Sequence, residues 1–213
     1  MEKNTRGYYD IDIDLDGLLS SNGMIEEVFY LRDLQQRKLF LNCDISQNSV
    51  QDIIHEILQY NKEDEGVAPG NRKPILLYIC SNGGEVDAGF SLIDVIELSK
   101  TPVYTINLGY WYSMAFIIGI AGHKRFATRN SKILCHDGMN AVYNSGSKAR
   151  DQMEFLRRLE ERTKDHILSH TKISEELYQD KVRDEWYVFS DEAKELGIID
   201  YIIGEDCALS DII

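Results

Sequence analysis

Three segments carry residues that could perform acyl-transfer chemistry together. A glycine pair, Gly83-Gly84, follows an apolar run (ILLYICSNGGEVDAG). A lone serine, Ser113, opens a second apolar run (WYSMAFIIGIAG). A histidine, His136, closes a third (SKILCHDG). Acyl transfer needs a nucleophile, a base near neutral pH and backbone N–H donors for the developing oxyanion. Each residue also has an ordinary reading. Ser113 could simply cap the helix it precedes, and it lacks the GxSxG elbow of the α/β-hydrolases. His136 could be a satisfied core imidazole. The glycines could only allow the positive φ of a tight turn; they form neither GxGxxG nor a Walker loop.

The elements that must position these residues follow from periodicity. Ile75–Cys80 is a continuous apolar run, expected as a strand buried on both faces. A helix is expected over Ala88–Leu98, a strand over Val103–Leu108, and an all-apolar central helix over Ser113–Ala121. Lys132–Cys135 reads as a short strand. Upstream, Lys38–Asn42 reads as a strand, and Ser49–Tyr60 as a helix capped by Ser49, with Val50, Ile53, Ile54, Ile57 and Leu58 on its apolar face. Asn61–Lys73 is expected as a polar surface loop. Lys148–Ser169 predicts a helix roughly 30 Å long, with Met153, Leu156, Leu159, Thr163 and Ile167 on one face. Ser190–Leu196, capped by Ser190 and closed by Gly197, and a strand over Ile198–Ile203 complete the chain. Strands alternating with helices imply an α/β fold with a mostly parallel sheet.

Composition excludes several function classes. The chain has 213 residues, 43% of them apolar, enough for one domain with a real core. Its net charge of −13 argues against nucleic acid or anionic lipid as a partner. No apolar run is long enough for a membrane helix, and no secretory signal core opens the sequence. Cys43, Cys80, Cys135 and Cys207 are far apart, without CxxC spacing. They read as buried free thiols in a reducing, cytoplasmic compartment. Asp10, Asp12, Asp14 and Asp16 alternate in an acidic N-terminal stretch whose spacing does not fit a calcium hand. His55, His166 and His170 read as surface residues of helices. No metal or other cofactor is expected.

The runs SNGGEVDAGFSLIDVI, GYWYSMAFIIGIAGHKRFATRNSKILCHDG and YQDKVRDEWYVFSDEAKELGIIDYII, taken in this order, resemble the Clp protease proteolytic subunit. Asn82 stands where the family usually has proline, and Asp137-Gly138 where it has Gln-Pro. The resemblance implies the fold shared by Clp proteases and crotonases, repeated β-β-α units with a projecting handle helix at about 148–169. It also implies an N-terminal arm over 1–28 and a single peptidase domain over 29–213.

By the same resemblance Ser113 is the nucleophile, His136 the general base, and Asp184 the carboxylate that orients the imidazole, with Asp180 and Asp137 as alternatives. The backbone N–H groups of Gly84 and Met114 form the oxyanion hole. The implied function is a serine endopeptidase enclosed in two stacked seven-membered rings, with Arg183 linking them. A hexameric ATPase would feed it unfolded protein, docking beside Tyr78 and Leu76. Two other readings stay open: a ring subunit without catalysis, and an acyl-CoA enzyme of the crotonase type on the same fold.

Overall fold

A computed structural model describes residues 25–138 and 141–212. In chain order the elements are α1 (Ile25–Gln35), β1 (Lys38–Leu41), α2 (Gln47–Glu63), β2 (Ile75–Ser81), α3 (Val86–Leu98), β3 (Val103–Tyr112) and α4 (Met114–Ile120). Then come β4 (Lys124–Thr128), β5 (Lys132–Cys135), α5 (Gly146–His170), α6 (Glu175–Lys181), β6 (Trp186–Phe189), α7 (Ser190–Glu195) and β7 (Tyr201–Ile203). The aspartates at 10–16 and most of the expected arm lie outside the described residues, and α1 runs across the expected 28/29 boundary.

The sheet runs β1-β2-β3-β4-β7, all pairs parallel. β3 is long enough to pair twice. Its first half lies along β4, and Tyr110–Tyr112 lie along β5. β6 closes this branch antiparallel to β5. The mostly parallel α/β architecture read from the sequence is the one observed.

Alternation along β2 assigns the layers. Ile75, Leu77 and Ile79 belong to the large core, with Val50, Ile53 and Ile57 of α2, Leu92, Ile93 and Ile96 of α3, and all of α4. Leu76 and Tyr78 face the other way, in a smaller cluster with Ile106, Phe126 and Ile212.

Several local expectations need correction. The cap of α2 is Ser46, whose side chain accepts from the Ser49 N–H, while the Ser49 hydroxyl accepts from the Ser46 N–H; the helix therefore starts earlier and runs to Glu63. Leu58 is exposed, not part of the apolar face. Ser190 does not cap α7. Its buried hydroxyl donates instead to the Thr128 and Ser131 carbonyls, tying α7 to the β4–β5 turn. The final strand begins only at Tyr201. Among the cysteines Cys135 is buried, and burial pushes its thiol up to about 12, whereas Cys43 is exposed.

One buried ion pair anchors the loop after α2. Arg37 donates to both oxygens of Asp64, at 2.7 and 2.8 Å, and the Thr101 hydroxyl adds a bond of 2.7 Å. These bonds, the Arg37 pair first, hold the Asp64 carboxyl below its usual range. A lowered folded-state pKa contributes stability above the unfolded carboxylate pKa of about 3.9 and loses it as pH falls through the folded value. Asp64→Ala removes two charge-assisted bonds from the part-buried Arg37 guanidinium, leaving it Glu63 at 3.6 Å and the Lys73 carbonyl, and should cost about 2 kcal/mol at neutral pH. Denaturant titration checks this, and the deficit should shrink in acid.

Candidate active site

Ser113 sits where β3 turns into α4. Its N–H donates to the Leu134 carbonyl at 3.0 Å, which continues the β3–β5 ladder by one residue. Its backbone then adopts φ 54° and ψ −123°. That conformation is costly for a residue with a Cβ, on the order of 1–3 kcal/mol, and such strain collects at functional positions. The hydroxyl makes no capping bond, so the ordinary capping role is not the one seen. The sharp strand–helix turn of a nucleophile elbow is thus present without the GxSxG sequence.

The room for this turn comes from the glycine pair. A Cβ on Gly83 would lie 2.8 Å from the Ser113 Cβ and 2.9 Å from the Met114 nitrogen; on Gly84 it would lie 2.2 Å from the Ile45 carbonyl oxygen. Gly83 (φ 98°) and Gly84 (φ 149°) also lie in the region that favours glycine. The loop is held to Ile45 by two bonds, Ile45 N–H to the Gly83 carbonyl and Glu85 N–H to the Ile45 carbonyl. In a parallel bridge of this form the Gly84 N–H points away from Ile45. Neither the Gly84 nor the Met114 N–H has an acceptor among the described residues. Gly83→Ala should therefore displace the serine rather than unfold the domain. The expected result is loss of roughly 10²-fold or more in kcat with little change in melting temperature, checked by kinetics beside calorimetry.

His136 follows β5 directly, and its Nδ1 lies 3.1 Å from Glu185 Oε1. The carboxylate that meets His136 is thus Glu185, not the expected Asp184. Cys135 pairs with Trp186 in the antiparallel β5–β6 ladder, so the next positions, His136 and Glu185, face each other. Side chains alternate across a strand, which puts Glu185 and Tyr187 on one side and Trp186 and Val188 on the core side. The Tyr187 hydroxyl accordingly donates to Glu185 Oε2 at 3.3 Å. Asp184 is exposed in the preceding turn, its N–H bonded to the Lys181 carbonyl. Asp180 pairs with Lys181, and the Asp137 N–H is tied to the Val182 carbonyl.

With Nδ1–H donated to a carboxylate, the neutral imidazole carries its lone pair on Nε2. That atom is buried and has no hydrogen-bond partner among the described residues. A buried acceptor left open costs about 1–3 kcal/mol, so the site holds an unmet demand for a donor. No hydrogen bond joins it to the Ser113 hydroxyl.

Ser113, His136, Gly84 and Met114 all line one cleft of about 630 Å³, together with Asp137, Arg183 and residues of α5 and α6 such as Leu159 and Tyr178. α5 has 25 residues, about 37 Å at the usual rise. Its apolar stripe is graded: Met153 is exposed, Leu156 and Leu159 are half-buried and Ile167 is buried, so the helix leaves the body toward its N-terminal half.

Ser113, His136, Gly84, Met114, Asp137 and Arg183, all named from the sequence, line the cleft, whereas the contact of Glu185 and Tyr187 behind His136 was missed. Two comparisons bear on what such a cleft belongs to. A family model described as Clp protease matches residues 21–206. The ATP-dependent Clp protease proteolytic subunit 2 of Treponema pallidum (strain Nichols) is 33% identical over 181 residues, which cover 84% of this chain and 87% of that protein.

Proposed function

Because the chain belongs to the Clp protease family, we propose that it is a serine endopeptidase subunit that cuts unfolded polypeptide into short peptides within a ring of its own copies. The observation that carries this reading is the buried, unpartnered Nε2 of His136 in the same cleft as a serine held at positive φ. Nε2 takes the Ser113 proton as Oγ attacks the peptide carbonyl. The oxyanion forms against the Gly84 and Met114 N–H groups. His136 then protonates the leaving amine, and water repeats the cycle on the acyl-enzyme. Glu185 holds the imidazole in the required tautomer and stabilises the imidazolium. The open Ser113–His136 link fits a resting site that tightens when substrate binds. Family membership favours this chemistry over the acyl-CoA reading.

The projecting α5 suits the handle by which rings interlock, and Arg183 on the cleft edge suits a contact between rings. Arg183→Glu should lower both assembly and peptidase activity, read by light scattering and turnover on the same samples; activity that survives ring separation removes the coupling. The chain carries no Walker motif, so ATP dependence, as in the name of the treponemal relative, would reside in a partner unfoldase. The aromatic outer face around Tyr78, stacked on Phe40 with ring centroids 4.9 Å apart, suits its docking. Membership of the Clp protease family favours a cytoplasmic enzyme; no helix among the described residues is long and apolar enough to cross a membrane.

The assembled protein should hydrolyse a short fluorogenic peptide without nucleotide and release peptides of short, bounded length from an unstructured protein, measured by mass spectrometry. Absence of any cleavage at saturating peptide would instead identify a ring subunit without catalysis.

A further inference from the structure

At the base of α5, outside the lining of the catalytic cleft, two histidines expected at the surface turn inward. His166 and His170 are one helical turn apart, so they share a face. Both meet Glu97 at the end of α3. His166 Nδ1 lies 3.3 Å and His170 Nε2 3.2 Å from the same oxygen, Glu97 Oε1. The three ligand atoms lie within 4.8 Å of one another.

Hydrogen bonds on the far sides of the rings fix both tautomers. His166 Nε2 is 3.2 Å from the Ile117 carbonyl, and His170 Nδ1 is 2.9 Å from the His166 carbonyl. A carbonyl can only accept, so these nitrogens carry the protons. The bare nitrogens of both neutral rings therefore point at a carboxylate, and three lone pairs converge with no proton among them. Protonating His170 would relieve only one of the two contacts. His166 is the more buried of the two.

A divalent cation resolves this convergence. The pattern is that of metal-ligating histidines, each with its other ring nitrogen donated to a carbonyl. A tetrahedral centre with bonds of about 2.0–2.1 Å sets its ligands roughly 3.3 Å apart, which matches both Glu97 contacts. We propose that Glu97, His166 and His170 bind a zinc-like first-row divalent metal ion at the base of the long helix. Two imidazoles and one carboxylate suit zinc, nickel or cobalt rather than the all-oxygen preference of calcium and magnesium. The ion ties α5 to α3. Through the Ile117 carbonyl that accepts from His166 it also braces α4, the helix that begins at the Ser113 turn. The site is independent of the peptidase reading.

The test uses the full chain in its assembled form, stripped with chelator, in a Cys43→Ser background that removes the exposed thiol. Zn²⁺ is titrated calorimetrically, and Co²⁺ serves as the spectroscopic probe. One equivalent per chain is expected, with visible cobalt absorption, no thiolate charge-transfer band, and a higher melting temperature with zinc. Glu97→Gln and His170→Gln should each weaken binding by at least about tenfold and abolish the thermal shift. Glu97 is a partly exposed surface residue, so its variant tests the ligand without threatening the fold. Unchanged affinity in both variants, a thiolate band, or no saturable binding to the wild-type chain would overturn the proposal.

Discussion

Ser113→Ala is expected to remove peptidase turnover, by a factor on the order of 10⁵–10⁶ in kcat, since loss of the nucleophile leaves only the oxyanion donors and substrate binding. The same change should leave assembly intact. The Ser113 hydroxyl makes no capping bond that alanine would lose, and alanine keeps the Cβ that makes φ 54° costly. Ser113→Gly separates the two effects. It is equally inactive, yet it relieves the backbone and should melt higher, by an amount equivalent to about 1 kcal/mol. Steady-state kinetics and calorimetry on the pair check both halves. A serine that only capped α4 would give the reverse pattern, with stability lost and activity spared.

The second large effect concerns the carboxylate. Glu185→Gln should lower kcat by roughly 10²–10³-fold with KM little changed, because the amide no longer enforces the tautomer that leaves Nε2 free or stabilises the imidazolium. The lower end is expected because the Glu185 side chain is 60% exposed and water shields its charge. Asp184→Asn should stay within about twofold of wild type, as the His136–Glu185 register leaves Asp184 in the turn before it. Glu185→Asp keeps the charge but shortens the reach by one methylene, and should fall between the two. If Asp184→Asn were the damaging change and Glu185→Gln harmless, the β5–β6 register would not be the one that operates in catalysis.

That register explains which parts of the site were legible in the sequence. Ser113, His136 and the glycine pair each end or begin an apolar run, and the parallel strand order carries such ends to one edge of the sheet. Pattern alone marked them as groups that could meet, and the family resemblance gave them their roles. The carboxylate was not. Its identity depends on which of three consecutive residues, Arg183, Asp184 and Glu185, falls opposite His136, and a single-residue slip reverses every side chain. Trp186–Phe189 pairs antiparallel within an otherwise parallel sheet, and nothing in its composition announces that partner. The caps failed for a similar reason: Ser49 and Ser190 are both cap-type residues, but Ser46 was available to α2 and the Thr128 and Ser131 carbonyls to Ser190. The histidines at the base of α5 carried a readable signal in their spacing of four. Their partner, Glu97, lies on another helix far away in sequence, and only the packing of α5 on α3 brings it to them.

The most direct test of Ser113 and His136 as a working pair is active-site labelling of the assembled protein with a fluorophosphonate, followed by peptide mapping and repeated in His136→Ala. A single adduct on Ser113, forming at a rate that collapses in the histidine variant, is the expected result. No adduct, an adduct on another residue, or an unchanged rate in His136→Ala would contradict a serine activated by that imidazole.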